Sequence, residues 1–237
     1  MEKCYIQLYS LKDEVAKDFD AVLQRVAKIG YTGVEFYGGV YGGHNAKNLK
    51  TLLDDLKLTP ISSHLMSAHV PEQLDYACDL GIPYIIDPMQ NMDTDEEALA
   101  FAQVLNKTGK LCKERGIQFG YHNHAHEFKA GKDGTLMDTL LINTDPAYVC
   151  FQLDVGWVAN AGFDAPDFIA KYPGRFKLIH VKEDGPVASG KGTIDWVAVK
   201  KAALAQGCEG FIIEREQLYT ADIYQCITED FNFLRAL

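Results

Sequence analysis

Tyr148-Val149-Cys150-Phe151-Gln152-Leu153-Asp154 is a run of aromatic, β-branched and other apolar residues that ends on a carboxylate. Three more runs have the same shape: Ile117-Gln118-Phe119-Gly120-Tyr121-His122, Phe176-Lys177-Leu178-Ile179-His180 and Phe211-Ile212-Ile213-Glu214. Each reads as a short buried strand closed by one group able to bind a proton or a metal ion. The closing residues stand 32, 26 and 34 positions apart (122 to 154, 154 to 180, 180 to 214). One strand-helix-strand unit takes roughly 30 residues, so each closing residue falls at the carboxyl end of a successive parallel strand. In a closed α/β barrel those ends converge on one mouth, where active sites of that architecture sit. Two imidazoles and two carboxylates brought together there read as a divalent-metal site.

The rest of the chain fits that frame. Its 237 residues suit one domain over 1–237, and a hydrophobic content of 47% is ample for a large core. No run of roughly 18 or more apolar residues is present to span a membrane. The start, Met1-Glu2-Lys3-Cys4-Tyr5-Ile6-Gln7-Leu8-Tyr9, enters a strand-like pattern at once, without the apolar core or cleavage site of a signal peptide. The six cysteines are scattered and form no CxxC, so they read as reduced residues in a cytoplasmic protein. A net charge of −10 without a Lys/Arg block argues against a nucleic-acid backbone as ligand, since phosphate binding there needs a basic surface. It leaves room for a small phosphorylated ligand held by one or two local cations.

Eight strand-then-helix units can be counted. Strands are expected over 4–9, 33–36, 59–64, 84–87, 117–122, 148–154, 176–182 and 211–214. Val15, Phe19, Val22, Leu23, Val26 and Ile29 recur on one helical face, with Gly30 as the stop. Leu49, Leu52, Leu53 and Leu56 form a second stripe before Pro60, and 98–112 makes a longer helix ending near Gly116. Asp195 reads as the N-cap of a helix from Trp196 to Ala205, and a last helix over 221–237 is expected to close the barrel. The segment 124–145 is a long loop with a weak helical pattern. An open doubly wound sheet would carry a glycine-rich phosphate turn after its first strand, but Tyr9-Ser10-Leu11-Lys12 has no glycine.

Several of these stretches resemble a known family. Gly30-Tyr31-Thr32-Gly33-Val34-Glu35, Leu153-Asp154-Val155-Gly156-Trp157, Ile179-His180-Val181-Lys182-Glu183-Asp184, Gly190-Lys191-Gly192-Thr193-Ile194-Asp195-Trp196 and Ile213-Glu214 are similar to segments of the xylose isomerase-like barrels, which include sugar phosphate isomerases/epimerases. The resemblance covers nearly the whole chain. It implies a closed (β/α)8 barrel and one divalent metal, Mn2+ or Zn2+ with Co2+ as a substitute, on His122, Asp154, His180 and Glu214. Two departures stand out: His122 where many members carry Glu, and Trp157 where many carry His. The first removes one of the paired glutamate bases of the epimerases. The stretch Tyr121-His122-Asn123-His124 looks more like the branch holding inosose dehydratase and keto-glycoside lyases.

Alternation along the strands adds groups to the same inward face. His122 brings His124, His180 brings Lys182, and Glu214 brings Glu216. Lys182 either holds a substrate oxyanion or works as a base; the plainer reading is an ion pair with Asp154 or Glu214. His124 is an acid/base candidate, or else a hydrogen-bond partner of a ligand. His126 reads as a surface loop residue. His64, Glu35 and Tyr37 end strands three and two and are candidate substrate contacts, with strand capping and packing as the alternatives. Trp157 offers an apolar wall for a sugar face or a core side chain. The loop Gly38-Gly39-Val40-Tyr41-Gly42-Gly43 reads as flexible enough to act as a lid. Asp87 before Pro88 marks a turn.

The expected chemistry is removal of a proton next to a carbonyl of a sugar or polyol derivative, with Glu214, His124 or Lys182 as the base. Return of that proton makes an isomerase or epimerase, the first expectation; loss of a β-substituent makes a lyase or dehydratase. A nuclease of the AP-endonuclease type and a non-catalytic sugar-binding barrel are the readings from other classes. A homo-oligomer or a small partner subunit is compatible with any of these.

Overall fold

The computed structural model describes residues 3–132, 134–183, 192, 194–218, 220 and 222–237. Asp184, Gly190, Lys191 and Thr193 of the quoted motifs, and Ala221 at the expected start of the last helix, lie outside the described residues. Eight parallel strands form a closed barrel: β1 (Cys4–Gln7), β2 (Gly33–Tyr37), β3 (Thr59–His64), β4 (Tyr84–Asp87), β5 (Gln118–His122), β6 (Val149–Asp154), β7 (Phe176–Val181) and β8 (Gly210–Ile213). Each strand pairs with its sequence neighbour. The ring closes where Cys4, Tyr5 and Ile6 pair with Phe211, Ile212 and Ile213. Closure is therefore a strand pairing, and the last helix packs outside it.

Around the barrel run α1 (Lys12–Val15), α2 (Phe19–Ile29), α3 (Ala46–Leu56), α4 (Val70–Leu80), α5 (Asp95–Glu114), α6 (Leu136–Asn143), α7 (Val155–Asn160), α8 (Ala165–Lys171), α9 (Trp196–Ala205) and α10 (Ile223–Ala236). The stripe from Val15 to Ile29 is two helices, because Asp18 is extended and its carboxylate caps Ala21 N at 2.9 Å. β1 stops at Gln7, where the chain winds into a 3-10 turn over Leu8–Leu11. The 124–145 segment holds a 3-10 turn (His126–Phe128), a two-residue hairpin outside the barrel and α6. Asp195 caps α9 through Ala198 N at 2.9 Å, as its position implied.

The core has two parts. Helix-facing side chains form a large shell, while Tyr5, Ile61, Tyr84, Ile86, Cys150, Leu178 and Ile212 fill the barrel's interior. Period-2 alternation then carries each interior position up toward the mouth. On β6 the inward residues are Cys150, Gln152 and Asp154; on β7 they are Leu178 and His180, followed by Lys182. The filling thus turns from apolar to polar toward the carboxyl ends. None of the six cysteines forms a disulfide among the described residues. Among those residues, no helix is long and apolar enough to cross a membrane.

Candidate active site

His122 ends β5, Asp154 ends β6, His180 is the penultimate residue of β7, and Glu214 follows β8. The parallel register sets Asp154 beside His180 and His122 beside Gln152. One ligand atom from each of His122, Asp154, His180 and Glu214 lies within 4.8 Å of the others, and all four residues are buried. His122 Nε2 and His180 Nδ1 are each 3.9 Å from Asp154 Oδ2, and His180 Nδ1 is 3.1 Å from Glu214 Oε2.

The outer nitrogens of the two imidazoles are held from behind. His180 Nε2 donates to Glu35 Oε1 at 2.7 Å, and His122 Nδ1 donates to Gln152 Oε1 at 3.1 Å. Holding a ligand histidine by its other nitrogen fixes its ring orientation toward an ion. Asp154 Oδ1 caps α7 by accepting from Trp157 N at 2.9 Å, and the Asn123 side chain bridges to the Asp154 backbone. Asp154 Oδ2 is buried and has no hydrogen-bond partner among the described residues. A buried carboxylate oxygen left open between two imidazoles and a second carboxylate fits a divalent ion, whose preferred donors are these groups.

Charge alone does not require that ion. Lys182 Nζ sits 2.7 Å from Glu216 Oε1, 3.3 Å from Glu214 Oε2 and 3.8 Å from Asp154 Oδ2. Burial pushes Asp154 up to about 7, with Lys182 opposing the shift and Glu214 adding to it. Burial works against a charged His180, yet Glu35 and Glu214 raise it to about 10. Burial would raise Glu214 as well, but His180 and Lys182 hold it below the usual carboxylate range. His122 is kept neutral by burial and by the neighbouring histidines. Lys182 is disfavoured as a cation by burial, but Glu214, Asp154 and Glu216 raise it and keep it charged.

Lys182 Nζ also lies 4.5 Å from the centre of the Trp157 ring. His124 stands beside that indole, with centroids 5.6 Å apart, and 5.2 Å from the His122 ring. Burial and Lys182 lower His124 to about 4, so its imidazole is neutral near pH 7. His124 Nδ1 and Trp157 Nε1 are both buried without partners among the described residues. The two rings thus adjoin each other, and His124 adjoins the ligand cluster through His122.

Other expected site residues lie elsewhere. Glu35 is fully buried beneath the cluster, with both oxygens engaged by protein donors. His64 joins the same buried layer: its Nε2 donates to Gln152 Oε1 at 2.7 Å, and its ring stacks 5.5 Å from that of His180. Tyr37 stays half-buried, edge-on to Tyr9 at 5.4 Å. His126 is more than a surface residue, since it is half-buried and donates through Nε2 to Gln90 O at 2.8 Å. The glycine-rich loop is pinned by Tyr41, which is buried, stacks on Tyr76 and bonds Ser63 Oγ at 3.2 Å. Asp87 accepts from Ser67 N and Oγ and serves the turn.

Three further residues shape the site. Gln152 lies two positions before Asp154, so strand alternation signals it. Asn123 sits inside the quoted Tyr121–His124 stretch. Glu127 carries no sequence signal: it is buried and accepts from Tyr121 OH at 2.5 Å and from His124 N at 2.9 Å, which fixes the turn that presents His124.

A sequence profile described as "Xylose isomerase-like TIM barrel" matches residues 23–236. The chain is 36% identical over 91 residues to an inosose dehydratase of Clostridium tetani, covering 38% of this chain and 30% of that protein. It is 26% identical over 193 residues to an inosose dehydratase of Mesomycoplasma hyopneumoniae, covering 70% of this chain and 62% of that one. The chain thus spans less than two thirds of the length of these curated relatives. A crystal structure described as a sugar phosphate isomerase/epimerase from Parabacteroides distasonis superimposes with a TM-score of 0.89 at 28% identity, covering 99% of this chain and 94% of that one. With a barrel of this topology and a profile match over most of its length, the chain belongs to the xylose isomerase-like TIM barrel family.

Proposed function

We propose that this chain is a divalent-metal-dependent enzyme that removes a proton from the carbon next to a carbonyl of a sugar or polyol derivative. The observation that carries this reading is the open, buried Asp154 Oδ2 amid His122, His180 and Glu214. A Mn2+ or Zn2+ ion on those four residues, with Co2+ as a substitute, would supply Lewis acidity that makes the neighbouring C–H more acidic. His124 is the base of the proposal, because it is neutral near pH 7 and its Nδ1 is open. Lys182 stays charged, so its role is to donate to the oxygen on which negative charge builds, with Trp157 as an apolar wall beside it. Glu214 is a ligand first: its carboxylate is held by His180 and Lys182, which makes it a weak base. Glu35 and His64 support the cluster from beneath, and Tyr37 remains the substrate contact on the β2 side.

After proton removal, return of the proton to carbon gives isomerisation or epimerisation, while its return to a departing β-hydroxyl, which leaves as water, gives dehydration. Dehydration is favoured here. Epimerisation by two bases needs a second one across the carbon, and at the β5 end stands His122, held by Gln152 behind and committed to the cluster. The inosose dehydratase names of the curated relatives support the same outcome. The test is incubation with an inosose in D2O, followed by NMR and ultraviolet absorbance. Deuterium at the carbon next to the carbonyl together with enone formation is expected. Deuterated ketose with all hydroxyls intact would give the isomerase reading instead, and turnover with neither exchange nor elimination would overturn the proposal.

A further inference from the structure

Glu35 has only acceptors to offer, and its surroundings answer with donors. Gln7 Nε2 and His180 Nε2 reach Oε1, each at 2.7 Å, and His64 Nε2 lies 3.2 Å from the same oxygen. Ser62 Oγ and Gln152 Nε2 reach Oε2, each at 2.6 Å. These partners come from β1, β3, β6 and β7, so one carboxylate ties together much of the barrel beneath the ligand cluster. A group so engaged and fully buried has no capacity left for a substrate.

The consequence runs through Gln152. Because its amide nitrogen must face the Glu35 carboxylate, its Oε1 must face His64 Nε2 at 2.7 Å and His122 Nδ1 at 3.1 Å. An amide oxygen only accepts, so both imidazole nitrogens carry hydrogen. The His122 lone pair is then on Nε2, the atom that faces Asp154 Oδ2. The flipped amide would set oxygen against carboxylate and NH2 against two imidazoles, leaving buried groups unsatisfied. His180 is set directly: its Nε2 donates to Glu35, so Nδ1 is the nitrogen available toward Asp154 and Glu214.

We propose that Glu35 is a positioning residue that sets the hydrogen polarity of both imidazole ligands, His180 by contact and His122 through the Gln152 amide. The purpose of that polarity rests on the metal reading above, but the polarity itself is measured without metal. Nitrogen-15 NMR of the histidine rings in metal-free protein gives the His122 tautomer, and titration with Zn2+ gives the affinity. In the wild-type chain His122 should be the Nδ1–H tautomer. Glu35→Gln lets the Gln152 amide flip, so His122 should become a mixture and Zn2+ affinity should fall by about 10- to 100-fold. Gln152→Met should release His122 while leaving the Glu35 bond to His180 in place, and it decides the matter if Glu35→Gln fails to fold. A pure Nδ1–H His122 in either folded variant, or a drop in melting temperature with tautomer and affinity unchanged, would overturn the proposal. A wild-type chain that takes up no metal would instead overturn the reading of function, with the tautomer still deciding this one.

Discussion

His124 and Lys182 each lie two residues past a proposed ligand, yet their environments set them apart. His124 is neutral near pH 7 with an open Nδ1, while Lys182 is a charged donor among three carboxylates. His124→Ala and Lys182→Ala should both keep the metal and lose kcat by roughly 100-fold or more, read by metal content and steady-state rates. Full activity in both would return the base role to Glu214. Metal binding should also depend on pH with a definite sign. The ion takes only the unprotonated forms of Asp154 and His180, which in the metal-free protein titrate at about 7 and about 10. Affinity should therefore rise with pH, about tenfold per unit while only His180 must lose its proton and more steeply below the Asp154 value. Calorimetry near pH 8 in buffers of different ionisation enthalpy should count about one proton released per ion; no release would contradict these shifts. The convergence of the four run-closing residues was legible from their spacing, and the position of His124 and Lys182 beside them from alternation. The burial of Glu35 was not, because it depends on the register that sets Gln7 against Glu35 and Glu35 against Ser62.

Elements hold the site through a few fixed joints. Arg215, next to Glu214, makes a two-pronged bond to Asp230 of α10, with Nη2 2.8 Å from Oδ1 and Nε 3.0 Å from Oδ2. Both residues are buried. Asp230→Ala would leave the Arg215 charge without that partner, at a cost of about 3–5 kcal/mol; chemical denaturation measures it, and an unchanged midpoint would refute the joint. Gly156 opens the way for α7, since a Cβ there would sit 2.6 Å from Lys182 O. Most strands were readable because they are compact runs rich in β-branched and aromatic residues, with Thr59-Pro60-Ile61-Ser62-Ser63-His64 as an exception. The break between α1 and α2 was hidden because Asp18 interrupts a stripe that looks continuous, and the six residues of α7 are too few to show a helical period.

At the scale of the whole molecule, the barrel was legible in the even recurrence of strand and helix, whereas its closure is a pairing of the first strand with the last that neither shows by itself. The reaction was less legible, since this architecture hosts many chemistries and the outcome depends on the few groups at the mouth. All of the proposed chemistry depends on the four strand-end residues holding an ion. Calorimetric titration of the metal-stripped chain with Mn2+ and Zn2+, alongside Asp154→Ala and His180→Ala, measures that directly. The expected result is about one ion per wild-type chain and none in either variant at the same concentrations; a wild-type chain that binds no ion, or variants that bind as well as it does, would contradict the account.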